Sequence, residues 1–249
     1  MLSLKRQEAY RHRYAEETPG WRPATHVYRD RIAAHLTGGT RVLDLGCGRG
    51  GVVEQFPNTL DRWVGIDPDL RSLQEHRLSA FRRLCGKAER LPFPAASFDL
   101  VCCSWVLEHL PDPARALREV ARVLAPGGRF VFLTPNRRHP LLWLNRFLSR
   151  TQGRLVKRLY GRSTADTFPA LYRANTPDRL RALLVDAGLE VVGLDLVEDP
   201  TYLAFTEGLY RLSCLLERSF PPTLRIHIVG EAIRRPSSSR PGTAPAPHR

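Results

Sequence analysis

A short apolar run breaks at once into a glycine-dense turn at Val42-Leu43-Asp44-Leu45-Gly46-Cys47-Gly48-Arg49-Gly50-Gly51, and this stretch constrains the chain more than any other. The run reads as a buried strand. Glycine tolerates positive φ and lets a ligand approach the main chain closely. A helix from about Gly51 to Phe56 would aim free N–H groups back at the turn. Strand, glycine turn and helix together make the start of a nucleotide-type βα unit. The glycines at 46, 48 and 50 alternate as G-x-G-x-G, which departs from the dinucleotide fingerprint G-x-G-x-x-G.

A chain of 249 residues suits one α/β domain with embellishments, or a domain with a small cap. Its formal net charge of +13 implies attraction to anionic partners. Nucleic acid, acidic lipid and a phosphorylated metabolite all fit that charge, and so does a general arginine bias. The five cysteines, Cys47, Cys85, Cys102, Cys103 and Cys214, are odd in number and form no C-x-x-C. They read as buried thiols of a reducing compartment. The N-terminal residues lack the apolar centre of a signal peptide, and no stretch approaches 18 apolar residues. The expected location is the cytoplasm, with membrane-surface association left open.

Taken in order, residues 1–20 predict a helix and 23–36 a second one, with Val27, Ile32 and Leu36 on one face. Arg41–Leu45 is the first strand and Trp63–Ile66 the second. Asp67 falls at the end of that second strand. A carboxylate there can accept hydrogen bonds from two ribose hydroxyls, and its distance of about 20 residues from Asp44 suits a βαβ unit. Asp69 caps a helix expected over Leu70–Ser79. Arg82–Cys85 reads as a charged edge strand. Phe98–Cys103 is a continuous apolar strand of central, parallel type. Asp112 and Pro113 start a helix through Leu124, Arg129–Thr134 is the fifth strand, and Asn136 leaves it facing a substrate. Thr176 and Pro177 start a helix to Asp186. Leu189–Leu196 and Arg225–Ile233 are the last two strands, with a helix between them.

Four further segments are specific: Gly86-Lys87-Ala88-Glu89-Arg90-Leu91-Pro92-Phe93, Ser97-Phe98-Asp99-Leu100-Val101, Leu107-Glu108-His109-Leu110 and Leu124-Ala125-Pro126-Gly127-Gly128. With Val42–Gly50 they resemble the class I methyltransferases that use S-adenosylmethionine, in their ubiquinone/menaquinone-type (methyltransferase type 11) branch. The resemblance is strong over 38–136 and loose elsewhere. It implies an α/β, Rossmann-like sheet of seven strands, the last antiparallel, with a basic helical cap inserted after strand 5. The organisation it suggests is a helical leader (1–37), a cofactor-binding half (38–136), a cap (137–175), the rest of the α/β domain (176–233) and a disordered tail (234–249). In related enzymes the leader lies over the pocket.

The resemblance also implies the donor site: Asp44, Gly46, Cys47, Gly48 and Gly50 in the turn, Asp67 and Pro68 after strand 2, Ala88 and Glu89 after strand 3, and Ser104 after strand 4. At Cys47 the main chain matters more than the sulfur. Lys87 stands where the family carries an aspartate that contacts the adenine amine, and lysine cannot accept a hydrogen bond. Either the main chain at Ala88 and Glu89 holds the base, or affinity falls, or Glu89 turns inward. Trp105, beside Ser104, can attract a sulfonium. His109 is the candidate catalytic base, because its ordinary pKa suits proton transfer at neutral pH. A loop-organising role for the same histidine stands beside that reading. Some relatives place Glu-x-x-Glu-His near a metal. Trp105 occupies the first carboxylate position here, so no metal is expected.

From 137 to 162 there are eight Arg or Lys residues and no Asp or Glu. That segment suits lipid or membrane contact, an anionic soluble substrate, nucleic-acid phosphates, or plain packing with snorkelling arginines. Tyr172 and Arg173 follow near the open end of the sheet. The expected function is methyl transfer from S-adenosylmethionine to oxygen or carbon of a small, lipid-like or anionic acceptor. An RNA methyltransferase is less suited, because Ser104-Trp105-Val106-Leu107 replaces an amino-methylating Asn/Asp-Pro-Pro-Tyr loop. A non-catalytic scaffold of the same fold rests on Lys87 alone. Oligomeric state is not legible.

Overall fold

The structure, a computed structural model, describes residues 4–142 and 168–235. Most of the basic segment expected as a cap, and the tail from 236, lie outside the described residues. Seven strands form one sheet: β1 (Val42–Leu45), β2 (Trp63–Asp67), β3 (Arg82–Cys85), β4 (Phe98–Ser104), β5 (Leu124–Pro135), β6 (Leu189–Val197) and β7 (His227–Arg234). Their order is β3-β2-β1-β4-β5-β7-β6. The first five pair in parallel, and β7 runs antiparallel between β5 and β6. The expected Rossmann-like sheet with its antiparallel last strand is therefore present.

Side chains alternate across a sheet, so each strand feeds two cores. Leu43, Leu45, Val101, Cys103, Phe130 and Phe132 join one buried cluster. Helix α4 (Pro113–Val123) covers it with Leu117 and Val120, and α5 (Pro177–Asp186) with Leu180 and Leu184. Val42, Leu100, Cys102, Val131 and Val229 face the other way, toward Tyr28 and Ile32 of α2 (Ala24–Ala33). Asp44 shares the parity of Val42 and Cys102, which puts a carboxylate among apolar neighbours. The caps formed as the residue types dictate. Asp112 accepts from the Arg115 amide at 3.0 Å, Thr176 from the Arg179 amide at 3.3 Å, and Asp69 from the amides of Arg71 and Ser72.

Several local expectations are corrected. Cys85 is exposed rather than buried, because it ends the charged edge strand β3. The helix after the glycine turn is one 3-10 turn, Val52–Gln55, because Pro57 starts a second such turn at once. The helix after Asp69, α3, spans only Leu70–Gln74. His76 ends it, its Nδ1 accepting the Leu78 amide at 3.1 Å. Strand β5 starts early, at Leu124, and its register against β4 shifts between Phe98 and Leu100. Helix α1 (Leu4–Glu17) does not roof the cavity described below. Its tyrosines pack elsewhere: Tyr14 is buried, and Tyr10 lies 4.4 Å from the ring of Tyr210 in α6 (Glu207–Ser219).

Candidate active site

The carboxyl ends of β1, β2 and β4 open into a cavity of about 950 Å³. That is where ligands bind in open α/β sheets. The glycine turn forms its floor. Gly46, Gly48 and Gly50 have φ of 81°, 48° and 133°, which side-chain-bearing residues rarely adopt. A Cβ on Gly46 would overlap Val106, so this glycine locks the β1 turn against the β4 loop. A Cβ on Gly48 would stand 3.9 Å from Asp67 Oδ2, so that side of the turn is open.

The amides of the turn are committed internally. Gly46 and Cys47 donate to the Ile66 carbonyl, Gly50 to that of Cys47, and Gly48 to Asp67 Oδ2 at 3.0 Å. The expected cluster of free N–H groups is therefore absent at these positions. A pyrophosphate needs such groups; a ligand presenting hydroxyls and an amine does not. Asp67 Oδ1 accepts the Asp69 amide at 2.9 Å. A carboxylate oxygen has two lone pairs, so each oxygen keeps one for the cavity. Burial raises the Asp67 pKa, against those two backbone hydrogen bonds. Asp44 is pushed up to about 7 by burial and then by the Asp67 charge.

The ten residues expected to hold the donor, and His109, all line this one cavity. The turn contributes Asp44, Gly46, Cys47, Gly48 and Gly50, the end of β2 Asp67 and Pro68, the loop after β3 Ala88 and Glu89, and the end of β4 Ser104 and His109. Glu89 has turned inward. Its Oε1 is buried with no hydrogen-bond partner, and Lys87 lines the same wall.

Two tyrosines complete the wall: Tyr28, which escaped the sequence reading, and Tyr202, from the 198–222 segment expected to roof the pocket. Tyr28 is 2% exposed, and its hydroxyl, beside Ser104, has no hydrogen-bond partner of good geometry. A tyrosine in the stripe of an amphipathic helix was the available signal, since a buried phenol wants a partner. Tyr202 bonds His227 Nε2 at 2.9 Å, and Trp105, at φ 58°, sets its ring edge-on to His227 at 5.2 Å. Only folding brings 105, 202 and 227 together.

Asn136 is corrected: it does not face a substrate. It is fully buried, its Nδ2 donates to the carbonyls of Thr223 and Arg225, and its Oδ1 accepts the Arg138 amide. Arg173 donates to the Pro111 carbonyl, whereas Tyr172 lines the cavity.

His109 Nδ1 lies 3.2 Å from the Pro169 carbonyl, which can only accept, so Nδ1 carries the proton and Nε2 keeps its lone pair. Burial holds the imidazole pKa below its ordinary 6.5, partly countered by that carbonyl. Glu108 Oε1 is 4.0 Å from Nε2. Burial pushes the Glu108 carboxyl up to about 7 against a 3.0 Å hydrogen bond from Thr134, whose hydroxyl in turn accepts from Asn175. Among the described residues no group of three or more His, Cys, Asp or Glu could hold a metal ion.

Residues 43–132 match the model of the family described as a methyltransferase domain. Over 221 residues the chain is 31% identical to the ubiquinone biosynthesis O-methyltransferase of Stutzerimonas stutzeri, covering 83% of this chain and 88% of that protein. The chain belongs to the class I S-adenosylmethionine-dependent methyltransferases. This methyltransferase also matches the uncharacterized methyltransferase YcgJ of Bacillus subtilis, at 37% identity over 37% of the chain. It spans about half the length of several curated relatives, 40 to 48% in three cases. Its fold is similar to that of the geranyl diphosphate C-methyltransferase of Streptomyces coelicolor, with TM-score 0.58, 17% identity and coverage of 84% and 79% of the two chains. The residues of the cavity fit the donor that defines the family. Asp67 keeps lone pairs for hydroxyls, Glu89 Oε1 is an unused acceptor, and the open face of Gly48 admits close approach.

Proposed function

We propose that this methyltransferase moves the methyl group of S-adenosylmethionine to an oxygen or carbon of a small acceptor of lipid-like or anionic character. One observation carries the reading: a single cavity joins the glycine turn and Asp67 to the Ser104–Pro111 wall. Ligand clefts usually measure about 300–1,000 Å³, so 950 Å³ leaves room for donor and acceptor side by side. The ubiquinone-pathway relatives, the net charge of +13 and the basic segment 137–162 favour a lipid-like or anionic acceptor, or an anionic lipid surface beside it.

The donor supplies a methyl on a sulfonium, whose sulfur leaves as a neutral thioether and needs no acid. The protein's work is alignment. Asp67 takes the ribose hydroxyls, and Glu89 Oε1 accepts from the adenine amine in place of the side chain that Lys87 cannot supply. Asp44, Pro68, Ala88 and the turn complete that half. On the acceptor side, Ser104, Trp105 and Tyr172 shape the space. His109 Nε2, which keeps its lone pair, would take the proton of an acceptor hydroxyl. The resulting imidazolium sits beside Glu108, which a positive neighbour favours in its ionised form.

The test is transfer of a radiolabelled methyl from S-adenosylmethionine to catechols bearing short prenyl chains, with Asp67→Ala beside it. Labelled product from the wild type and none from the variant is the expected result. Failure of the wild type to bind S-adenosylhomocysteine by calorimetry would overturn the reading.

A further inference from the structure

A second cavity, of about 290 Å³, lies behind Tyr202, between the 3-10 turn Pro200–Leu203, helix α6 and the turn at His139–Leu141. Its wall is largely apolar: Pro140, Leu141, Leu203, Leu216 and Phe220. Its polar members are His139, Asp199, Tyr202, Ser213 and Glu217. Asp199 is held by Arg11 and Thr201, and Tyr202 by His227. The side chains of His139 and Glu217 are 4% and 6% exposed, and they meet at 2.9 Å.

The hydrogen-bond direction of that pair is fixed. His139 Nδ1 accepts the Leu141 amide at 3.1 Å, so it has no proton. Nε2 therefore carries the hydrogen and donates to Glu217 Oε1. Glu217 Oε2 is buried and nothing donates to it. A buried acceptor without a donor is costly, and native structures seldom leave one without a reason. An apolar chamber with one unfilled acceptor suits a particular kind of molecule.

We propose that this chamber is a second binding site, for an uncharged, mostly apolar group of about ten carbons with one hydroxyl hydrogen, which it donates to Glu217 Oε2. The size follows from volume: a cavity of roughly 150 Å³ holds one benzene ring, so 290 Å³ takes two fused rings or a short branched chain. Tyr202 forms part of both cavities, so an occupant here touches the wall of the main one. The occupant is either the far end of the acceptor or a separate small molecule. The site itself does not depend on the methyl-transfer reading.

The probe is 2-naphthol, titrated calorimetrically into the full chain beside 2-methoxynaphthalene, which has the same rings and no hydrogen to give. The wild type should prefer 2-naphthol at least tenfold, as the cost of leaving a buried acceptor without its hydrogen bond allows. Glu217→Gln, near-isosteric, turns an amide donor toward the chamber and should erase that preference. Leu216→Trp at the rim should weaken 2-naphthol at least tenfold with S-adenosylhomocysteine affinity unchanged. Asp67→Ala should do the reverse. Tighter binding of 6-hexyl-2-naphthol than of 2-naphthol would mark the far end of an acceptor that passes Tyr202. Weaker binding would mark a separate small ligand. Equal affinity for 2-naphthol and its methyl ether, or indifference to both Glu217→Gln and Leu216→Trp, would overturn the proposal and leave a chamber that holds water only. Loss of S-adenosylhomocysteine binding in the wild type would sink the donor reading and leave this one standing.

Discussion

The backbone amide of Gly48 and the carboxylate of Asp67, 19 positions apart in the chain, meet at 3.0 Å. This bond ties the glycine turn to the end of β2 and leaves the second lone pair of each Asp67 oxygen toward the cavity. Asp67→Ala therefore removes a turn brace and two charged acceptors together. Each hydrogen bond to a charged group contributes about 1.5–3 kcal/mol, so S-adenosylhomocysteine should bind at least 100-fold more weakly by calorimetry. The thermal midpoint should move far less, because the sheet is untouched.

Glu89 is expected to set the choice of base. Its unpartnered Oε1 needs a donor, which a 6-amino purine presents at C6, where a 6-oxo purine presents an acceptor. The wild type should prefer S-adenosylhomocysteine to its inosine counterpart at least tenfold, in line with the cost of an unmade buried bond. Glu89→Gln presents an amide that can donate, so the preference should narrow or reverse. An unchanged ratio in competition binding would mean that Glu89 only braces the loop.

For His109 the pH profile decides. Burial lowers its pKa, so the neutral base is already formed at pH 6.5 and is lost only on further acidification. With a hydroxyl acceptor, kcat should be level across neutral pH and fall below that point. His109→Ala should reduce kcat by about 10²–10⁴-fold, the usual range for a positioned base, with donor affinity unchanged. A merely loop-organising histidine would instead alter donor and acceptor binding while leaving the shape of the pH profile intact.

Buried carboxyls and a buried imidazole make stability depend on pH in opposite directions. Glu108 has its folded pKa raised from 4.5 to about 7. Its stabilisation is complete below pH 4.5 and is lost as pH rises toward 7, because the folded state holds the extra proton. His227 has its pKa lowered from 6.5 to about 4. Its stabilisation is complete above pH 6.5 and is lost as pH falls toward 4. Each shift corresponds to roughly 3 kcal/mol at 1.36 kcal/mol per pH unit. Asp44, raised from 3.8 to about 7, acts in the same sense as Glu108. Between pH 4.5 and 6.5 the two carboxyls outweigh His227, so the wild-type urea midpoint should fall as pH rises. Glu108→Gln removes one of the two falling slopes, so its midpoint should be nearly flat over that interval.

The turn at Val42–Gly50, an aspartate at the end of β2 and the wall from Ser104 to His109 were legible in the sequence because each is carried by contiguous residues whose chemistry is local. Glycine spacing, strand ends and helix caps need no distant partner to be read. The seven strands follow for the same reason: alternation and apolar runs are properties of short windows. The helix after Asp69 was overextended because the local bond from the Leu78 amide to His76 Nδ1 ends it early. Asn136 could not be assigned from position alone, since its role depends on the carbonyls of Thr223 and Arg225, nearly ninety residues on. Tyr28 and Tyr202 enter the cavity wall, and His139 reaches Glu217, only because the sheet order sets distant loops at one end. The sequence by itself determined which residues could do this chemistry; the fold decided which of them share a cavity, because burial, tautomer and pKa are set by neighbours in space.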